Sequence, residues 1–325
     1  MYIVRSPLRI SFFGGGTDIP RIYKEINGCV FSATIQKFVY ISINKKWPSD
    51  DVSVTAKYTI LENEIHVRYL KHPIMRTVLS KLGIAGVDIS VSSDIPGGTG
   101  LGSSSAFTVG FLLASKAILG EELSNYGLAE SACEVELHEL QEPIGKQDSY
   151  AAAFGGINQI NFNKSGEVNV TRCKLSTESI SMLEESIFLV RIGGFRKTSE
   201  LLMQQLTQLE SSNRQIAVYE EIANQARWAS ELINIDLEEF GNRLNKAWNM
   251  KKSLSSNISN DEIDNLISLG LNNGACGAKL LGAGGSGFVL FLVPREKQEV
   301  FISIMTDRKI IQPKFDFDGA MVLHP

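Results

Sequence analysis

Ten residues in the first half of the chain, Pro96-Gly97-Gly98-Thr99-Gly100-Leu101-Gly102-Ser103-Ser104-Ser105, combine four glycines with a run of three hydroxyls. Glycine lets a backbone turn through positive φ and come close to a bound group. An alternating segment, 87–92, runs into the loop, and a segment apolar almost all round, 106–119, leaves it. Strand, glycine loop and helix start in that order bring backbone N–H groups and the positive end of a helix dipole to one point, which attracts anions and phosphates above all. The serine hydroxyls add oxygens for phosphate or Mg²⁺. Gly97 and Gly102 have the spacing of a Walker A loop, but Ser103 stands where that motif needs lysine. The Rossmann spacing is also missed, because Gly98-x-Gly100-x-Gly102 is followed at once by Ser103. The expectation is a phosphate loop of another kind; a glycine-rich connection without a ligand is the alternative.

A later loop, Gly282-Ala283-Gly284-Gly285-Ser286-Gly287, does match G-x-G-x-x-G, yet it leads into a strand-like segment, 288–293. A dinucleotide site needs strand, loop and helix. A hairpin turn flanking the nucleotide phosphates, or a plain turn, is expected instead.

The elements that must position these loops are mixed. Residues 2–13 read as a strand ending at Gly14-Gly15-Gly16-Thr17-Asp18, and 29–44 as a second strand. Short strands over 52–69, a helix over 73–81 stopped by Gly83, and a helix over 124–140 capped by Ser124 follow. Helical spacing recurs at 198–209, 214–233, 236–254, 261–272 and 295–305, with strands at 187–192, 278–281, 287–293, 310–315 and 320–323. The pattern is α+β. With 325 residues it suggests two domains, 1–165 and 166–325.

Composition narrows the function. Hydrophobic residues make up 43% and charged ones 21%, with a net charge of −4 and no basic block, which argues against nucleic acid. Cys29, Cys133, Cys173 and Cys276 form no CxxC pattern and no zinc spacing with the histidines, and scattered thiols suit a reducing cytosol. Arg5 and Arg9 interrupt the first apolar stretch, and no apolar run reaches the ~20 residues that cross a bilayer. A cytoplasmic protein without membrane or nucleic-acid partners is expected; a homodimer is left open.

Three glycine motifs in this order resemble those of the GHMP kinases, the superfamily of galactokinase, homoserine kinase, mevalonate kinase and phosphomevalonate kinase. The first is Pro7-Leu8-Arg9-Ile10-Ser11-Phe12-Phe13-Gly14-Gly15-Gly16-Thr17-Asp18. The second is the loop from Pro96 to Ala106, close to P-x-x-x-G-L-G-S-S-A, and the third begins at Lys279 and ends at Gly287. The resemblance covers almost the whole chain. Within the superfamily, GGGTD together with Gly145-Lys146-Gln147-Asp148-Ser149-Tyr150-Ala151-Ala152-Ala153-Phe154-Gly155-Gly156 is most similar to the D-glycero-D-manno-heptose 7-phosphate kinases. Those enzymes phosphorylate the anomeric O1 on the route to GDP-heptose. Galactokinase-like enzymes carry Glu-His where Gly15-Gly16 stand here, which argues against galactose.

The resemblance implies an N-terminal domain like ribosomal protein S5 domain 2, a ferredoxin-like C-terminal domain, and ATP and sugar meeting between them. It implies Asp148 as the catalytic carboxylate, with Arg9 its basic partner. It places an Mg²⁺-binding glutamate at Glu136, with Ser104 as the favoured serine partner and Glu134 as a substitute. Pro96 to Ser105 would hold ATP, and Gly14, Gly15, Gly16, Thr17, Asp18 and Gly284 the sugar. A phosphorylated acceptor needs a cation, for which Arg196 and Lys197, just before a helix start, and Lys146 are candidates. Trp47 and Tyr58 could flank the base or belong to the core. Three rivals stand beside a heptose kinase: a superfamily kinase for a plain sugar, mevalonate or homoserine; a ligand sensor without catalysis; and, from the third loop, a nicotinamide oxidoreductase.

Overall fold

The structure, a computed structural model, describes residues 1–48, 51–193 and 213–324. The candidate cations Arg196 and Lys197 and the expected helix at 198–209 lie outside the described residues.

The chain opens with β1 (Tyr2–Phe13), a single helical turn α1 (Pro20–Tyr23) and the long β2 (Gly28–Lys45). A hairpin, β3 (Val54–Lys57) and β4 (Leu61–Glu64), precedes α2 (Pro73–Leu82) and β5 (Val87–Ser93). Gly83 ends α2 in the left-handed conformation at φ 64°, the role expected of it. The central helix α3 spans Ser103–Leu119, three residues earlier than expected, so the serine run is its first turn. Next comes α4 (Asn125–Cys133), capped by Ser124, whose hydroxyl accepts from the Gly127 amide. The expected single helix over 124–140 is corrected here: from Glu134 to Glu139 the chain widens into a π-helical turn. Three elements not expected follow: α5 (Gln147–Phe154) and the two strands of a hairpin, β6 (Ile157–Phe162) and β7 (Val168–Arg172).

With β12 (Met321–His324) these strands form an eight-stranded sheet in the order β12-β1-β2-β5-β3-β4, with β6 and β7 off this path. The first half of β2 pairs with β6, which pairs with β7, and its second half pairs with β5. Among the described residues of this sheet, only the β3–β5 pair is parallel. The expected junction near residue 165 falls between β6 and β7, both strands of this sheet, and β12 (Met321–His324) returns to its edge beside β1.

The second sheet is built from β8 (Ile187–Ile192), β9 (Gly277–Leu280), β10 (Gly287–Leu292) and the short β11 (Ile310–Ile311). Its order, β11-β8-β10-β9, is the antiparallel 4-1-3-2 arrangement of a ferredoxin-like β-α-β-β-α-β unit. Around it lie α6 (Thr177–Ser186), α7 (Asn213–Ser230), α8 (Leu237–Lys252), α9 (Asp261–Asn272) and α10 (Gln298–Ile304). The amphipathic spacing read at 261–272 corresponds to α9 residue for residue.

An aromatic cluster joins the two parts. Phe240 of α8 meets Phe12 and Phe13 of β1 edge-on at 5.7 and 5.0 Å, and Trp228 of α7 meets Phe13 at 6.1 Å. Such pairs add about 0.5–1.5 kcal/mol each beyond simple burial. No described helix is long and apolar enough to cross a membrane.

Candidate active site

The two glycine loops read from the sequence touch backbone to backbone. Gly100 has φ 81°, and a Cβ there would stand 2.4 Å from the Leu281 carbonyl oxygen. A Cβ on Gly282 would stand 2.6 Å from the Gly100 Cα, and one on Gly287 2.5 Å from the Thr99 carbonyl oxygen. Only glycine permits this approach, so the third loop is a clamp for the second. The two border a cleft of about 690 Å³ that also reaches β1, α5 and the π-helical turn.

The loop ends at Gly102, φ 74°, which starts α3 without any side-chain cap. The first amides of a helix have no partner within it. They sit where Ser103 (half-buried), Ser104 (exposed) and Ser105 (buried) enter the cleft wall. Gly97 and Gly98 also line it. Pro96 is exposed and lies off the wall; its carbonyl accepts from the Thr99 hydroxyl at 3.1 Å. Leu101 is fully buried, a core residue whose carbonyl accepts from the Arg9 amide at 3.0 Å.

Arg9 and Ser11 alternate on β1 and therefore share its cleft face. Arg9, 5% exposed, donates through Nε to Oδ1 and through Nη2 to Oδ2 of Asp148, at 2.7 and 2.8 Å, while its Nη1 donates to the Gly100 carbonyl at 2.6 Å. Asp148 occupies the second position of α5 and keeps 22% side-chain exposure toward the cleft. The arginine thus ties strand, loop and carboxylate together in a bidentate, charge-assisted pair.

Glu136 projects from the π-helical turn, where the Leu140 amide reaches back five residues to the Val135 carbonyl at 3.0 Å. Such widened turns re-aim a side chain and recur at functional sites. Its carboxylate is 2% exposed and accepts from Thr108 at 2.9 Å and Ser149 at 3.1 Å. Burial pushes it up to about 7, against the pull of hydrogen bonds from Ser105, Thr108 and Ser149. Of the three loop serines it is Ser105 that acts on the Glu136 carboxyl, whereas Ser104 stands exposed at the helix start. Glu134 is on the outside of the turn, paired with Lys81 at 3.8 Å, which removes it as a substitute.

The first glycine motif divides. Gly15 and Gly16 line the cleft, and Tyr219 of α7 packs against Gly16. Gly14, at φ 85°, is pressed onto the Cys29 carbonyl. Thr17 is fully buried; its hydroxyl bonds the carbonyls of Gly14 and Cys29 at 2.8 and 3.0 Å and accepts from the Cys29 amide at 3.1 Å. Both are corrections: these two residues hold the turn and present nothing to the cleft. Asp18 lines the cleft but is 2% exposed, with Oδ1 accepting from the Gly16 amide and Gln147 Nε2, and Oδ2 from the Gln147 amide. Burial, then the charge of Asp148, raises its carboxyl, while the Gln147 and Gly16 amides lower it. Gly284 faces the Ile258 backbone, where an added Cβ would stand 2.9 Å from the Ile258 Cα, and is not a cleft residue. Lys146 is paired with Glu130 at 3.2 Å away from the cleft wall.

Two lysines escaped the residue-by-residue reading. Lys279, quoted only as the start of the third motif, is 5% exposed and donates to the carbonyls of Ser11 and Phe12 at 2.9 and 2.7 Å. Burial, with Lys251 and Arg9 nearby, holds its ammonium well below the usual value. Lys251, in the last turn of α8, donates to the Gly282 carbonyl at 2.7 Å and is pushed down to about 8 by burial. A basic residue in a last helical turn normally answers the helix dipole at the surface, which is why the pattern hid it. At the far end of the cleft Tyr58, His72 and Phe107 form an aromatic wall, while Trp47 is 91% exposed and takes no part.

Comparison with known proteins agrees with this architecture. The family model for the GHMP kinases N terminal domain matches residues 68–156, and that for the GHMP kinases C terminal matches residues 228–305. The chain is 28% identical over 320 residues to a D-glycero-alpha-D-manno-heptose 7-phosphate kinase of Campylobacter jejuni, covering 95% of this chain and 94% of that one. It is 30% identical over 241 residues to a mevalonate kinase of Pyrococcus abyssi, covering 73% and 68%. A crystal structure of a D-glycero-D-manno-heptose 1-phosphate kinase from Bacteroides thetaiotaomicron superposes with a TM-score of 0.79 at 22% identity, covering 100% of this chain and 99% of that one. Two family models in chain order, a full-length relative and a shared two-domain fold lead to one assignment: the chain belongs to the GHMP kinases.

Proposed function

We propose that this kinase transfers the γ-phosphoryl group of ATP to the anomeric O1 of D-glycero-D-manno-heptose 7-phosphate, giving the 1,7-bisphosphate. The observation that carries the proposal is the Arg9–Asp148 pair set against the glycine loop, with the acceptor face of Gly15, Gly16 and Asp18 beside it. The likeness to the C. jejuni heptose 7-phosphate kinase over nearly both full lengths supports the choice of sugar.

The roles follow from position. Backbone amides of Gly97–Gly102 and the start of α3 hold the phosphates. Asp148 accepts a hydrogen bond or proton from the sugar hydroxyl and aims its oxygen at the γ-phosphorus. Arg9 fixes that carboxylate through two charge-assisted hydrogen bonds and adds positive charge where charge develops on the transferring group. The transfer is direct and in line, with positioning and electrostatics as the main contributions. Lys279 fixes the β1 carbonyls beside Arg9 and so the line of approach.

The residues present fit Mg²⁺. Glu136 is a buried carboxylate whose described partners are hydroxyls, and the donor set is hard oxygen throughout. Glu136 with Ser104 and Ser105 would hold the ion. An ion held there would supply positive charge to offset that of the phosphates.

A coupled ADP assay with heptose 7-phosphate, hexose 6-phosphates, free hexoses, mevalonate and homoserine tests the acceptor, with ³¹P NMR locating the new phosphate. Heptose 7-phosphate should give the highest kcat/KM and a new anomeric phosphate. Preference for mevalonate, to which the 30%-identical relative points, would replace the proposal.

A further inference from the structure

Two buried polar atoms on the cleft wall have no hydrogen-bond partner among the described residues: the Ser11 hydroxyl oxygen and Oε1 of Gln147. Leaving such a group unpaired costs roughly 1–3 kcal/mol, and native structures tolerate few of them. Two on one wall mark a place where a ligand completes the bonding. The two side chains flank one glycine of the cleft wall: a Cβ built on Gly15 would lie 3.3 Å from the Ser11 oxygen and 3.8 Å from Gln147 Nε2.

Asp18 decides what the glutamine can recognise. Its carboxylate receives three N–H groups: the Gly16 amide at 2.9 Å, the Gln147 amide at 3.1 Å and Gln147 Nε2 at 3.1 Å. Both of its oxygens are thus occupied by donors, and the glutamine side chain meets Oδ1 through Nε2. The glutamine must therefore turn its NH₂ toward Asp18 and its oxygen away. That oxygen also only accepts, so the group that completes it is an O–H or N–H donor and cannot be phosphate or carboxylate. The Ser11 hydroxyl can give or accept. Gln147 and Asp148 are the first two residues of α5, so the group recognised lies next to the reacting one.

We propose that Gln147 and Ser11 read an acceptor hydroxyl adjacent to the one that is phosphorylated, with Asp18 as the positioning residue that fixes the glutamine amide. The proposal rests on the sugar-kinase assignment and sharpens it: specificity for a polyol comes from an oriented amide oxygen at the head of the catalytic helix.

The test uses the full chain with Mg-ATP, the best sugar acceptor of the wild type, and its monodeoxy analogues. Removing one hydroxyl should cost the wild type about tenfold to a hundredfold in kcat/KM. Gln147→Met should lose a similar factor on the intact acceptor and then fail to distinguish it from that same analogue. Asp18→Asn should show the same loss of discrimination, and Ser11→Ala a smaller one, each with the KM for ATP close to parental. Melting curves, together with the mild Ser11→Ala change, separate lost recognition from lost folding. Unchanged discrimination by folded Gln147→Met overturns the assignment of these residues. A wild type that phosphorylates no sugar overturns the sugar-kinase assignment, and this one with it, before any variant is made.

Discussion

The Arg9 guanidinium and the Asp148 carboxylate form a two-pronged pair, at 2.7 and 2.8 Å, and the remaining arginine nitrogen is committed to the Gly100 carbonyl. The Asp148 carboxylate, proposed above as the catalytic one, is thus placed by the same group that holds the second glycine loop. Asp148→Asn keeps the volume and removes the charge. Steady-state assays should show kcat lower by roughly 10²–10⁴-fold, the usual worth of a positioned proton acceptor, with the KM for ATP little changed. Turnover within a few-fold of parental would remove Asp148 from the chemistry. Arg9→Lys retains charge but loses the planar fork, so it should not rescue.

The contact between the second and third glycine loops makes Gly100 intolerant. Its φ of 81° and a Cβ position 2.4 Å from the Leu281 oxygen mean that Gly100→Ala must move one loop or the other. The left-handed backbone alone costs about 1–2 kcal/mol for a residue with a Cβ. A lower Tm and a KM for ATP raised at least several-fold are expected, against an unchanged KM for the acceptor. Scanning calorimetry and initial rates check both.

Thr17 sits in the motif that resembles a sugar site but faces inward. Thr17→Val removes the hydroxyl that pairs with the Cys29 amide and carbonyl, while the Gly14 carbonyl keeps its bond from the Thr17 amide, so stability should fall by about 1–3 kcal/mol in urea unfolding. The acceptor KM of the folded variant should stay within about twofold, since the hydroxyl does not line the cleft. A large KM effect at parental stability would mean that the hydroxyl meets the sugar after all.

Glu136 couples stability to pH. Its carboxyl titrates near 4.5 when unfolded and is raised to about 7 in the fold, chiefly by burial. Folding thus favours the protonated form, so the stability linked to Glu136 is fully present below 4.5 and is lost as pH rises through 7. At 1.36 kcal/mol per pH unit, the gap between these values corresponds to about 3 kcal/mol. Glu136→Gln should therefore exceed the wild type in stability at pH 8 without metal, and the difference should vanish below pH 4.5. Thermal melts in chelator across that range check it. Activity with Mg²⁺ should move the opposite way.

The sequence made the loops and the long elements readable because their signals are local. Alternation marks β1 and β2, and helical spacing marks α9. The start of α3 was read late because serines are turn formers by themselves, and only the packed structure shows them completing a helical turn. The π-helical turn under Glu136 leaves no trace in composition, since it changes hydrogen bonding by one residue and nothing else. Short α5 was missed because it opens after Gly145 with polar residues. Which side of a glycine turn meets solvent is decided by distant chain. Thr17 turns inward because Cys29 offers it a backbone groove, and Gly284 does so because Ile258 lies against it. The arrangement of Asp18 and Gln147 spans 129 positions and has no local signature.

The backbone contacts of Gly100 with Leu281 and Gly282, and of Thr99 with Gly287, also limit how such a chain can diverge. Neither loop can lengthen, or accept a side chain at these points, unless the other changes with it. Recombining the first half of one relative with the second half of another should therefore give inactive protein at most crossovers. It should give working hybrids where the two loops are inherited as a pair.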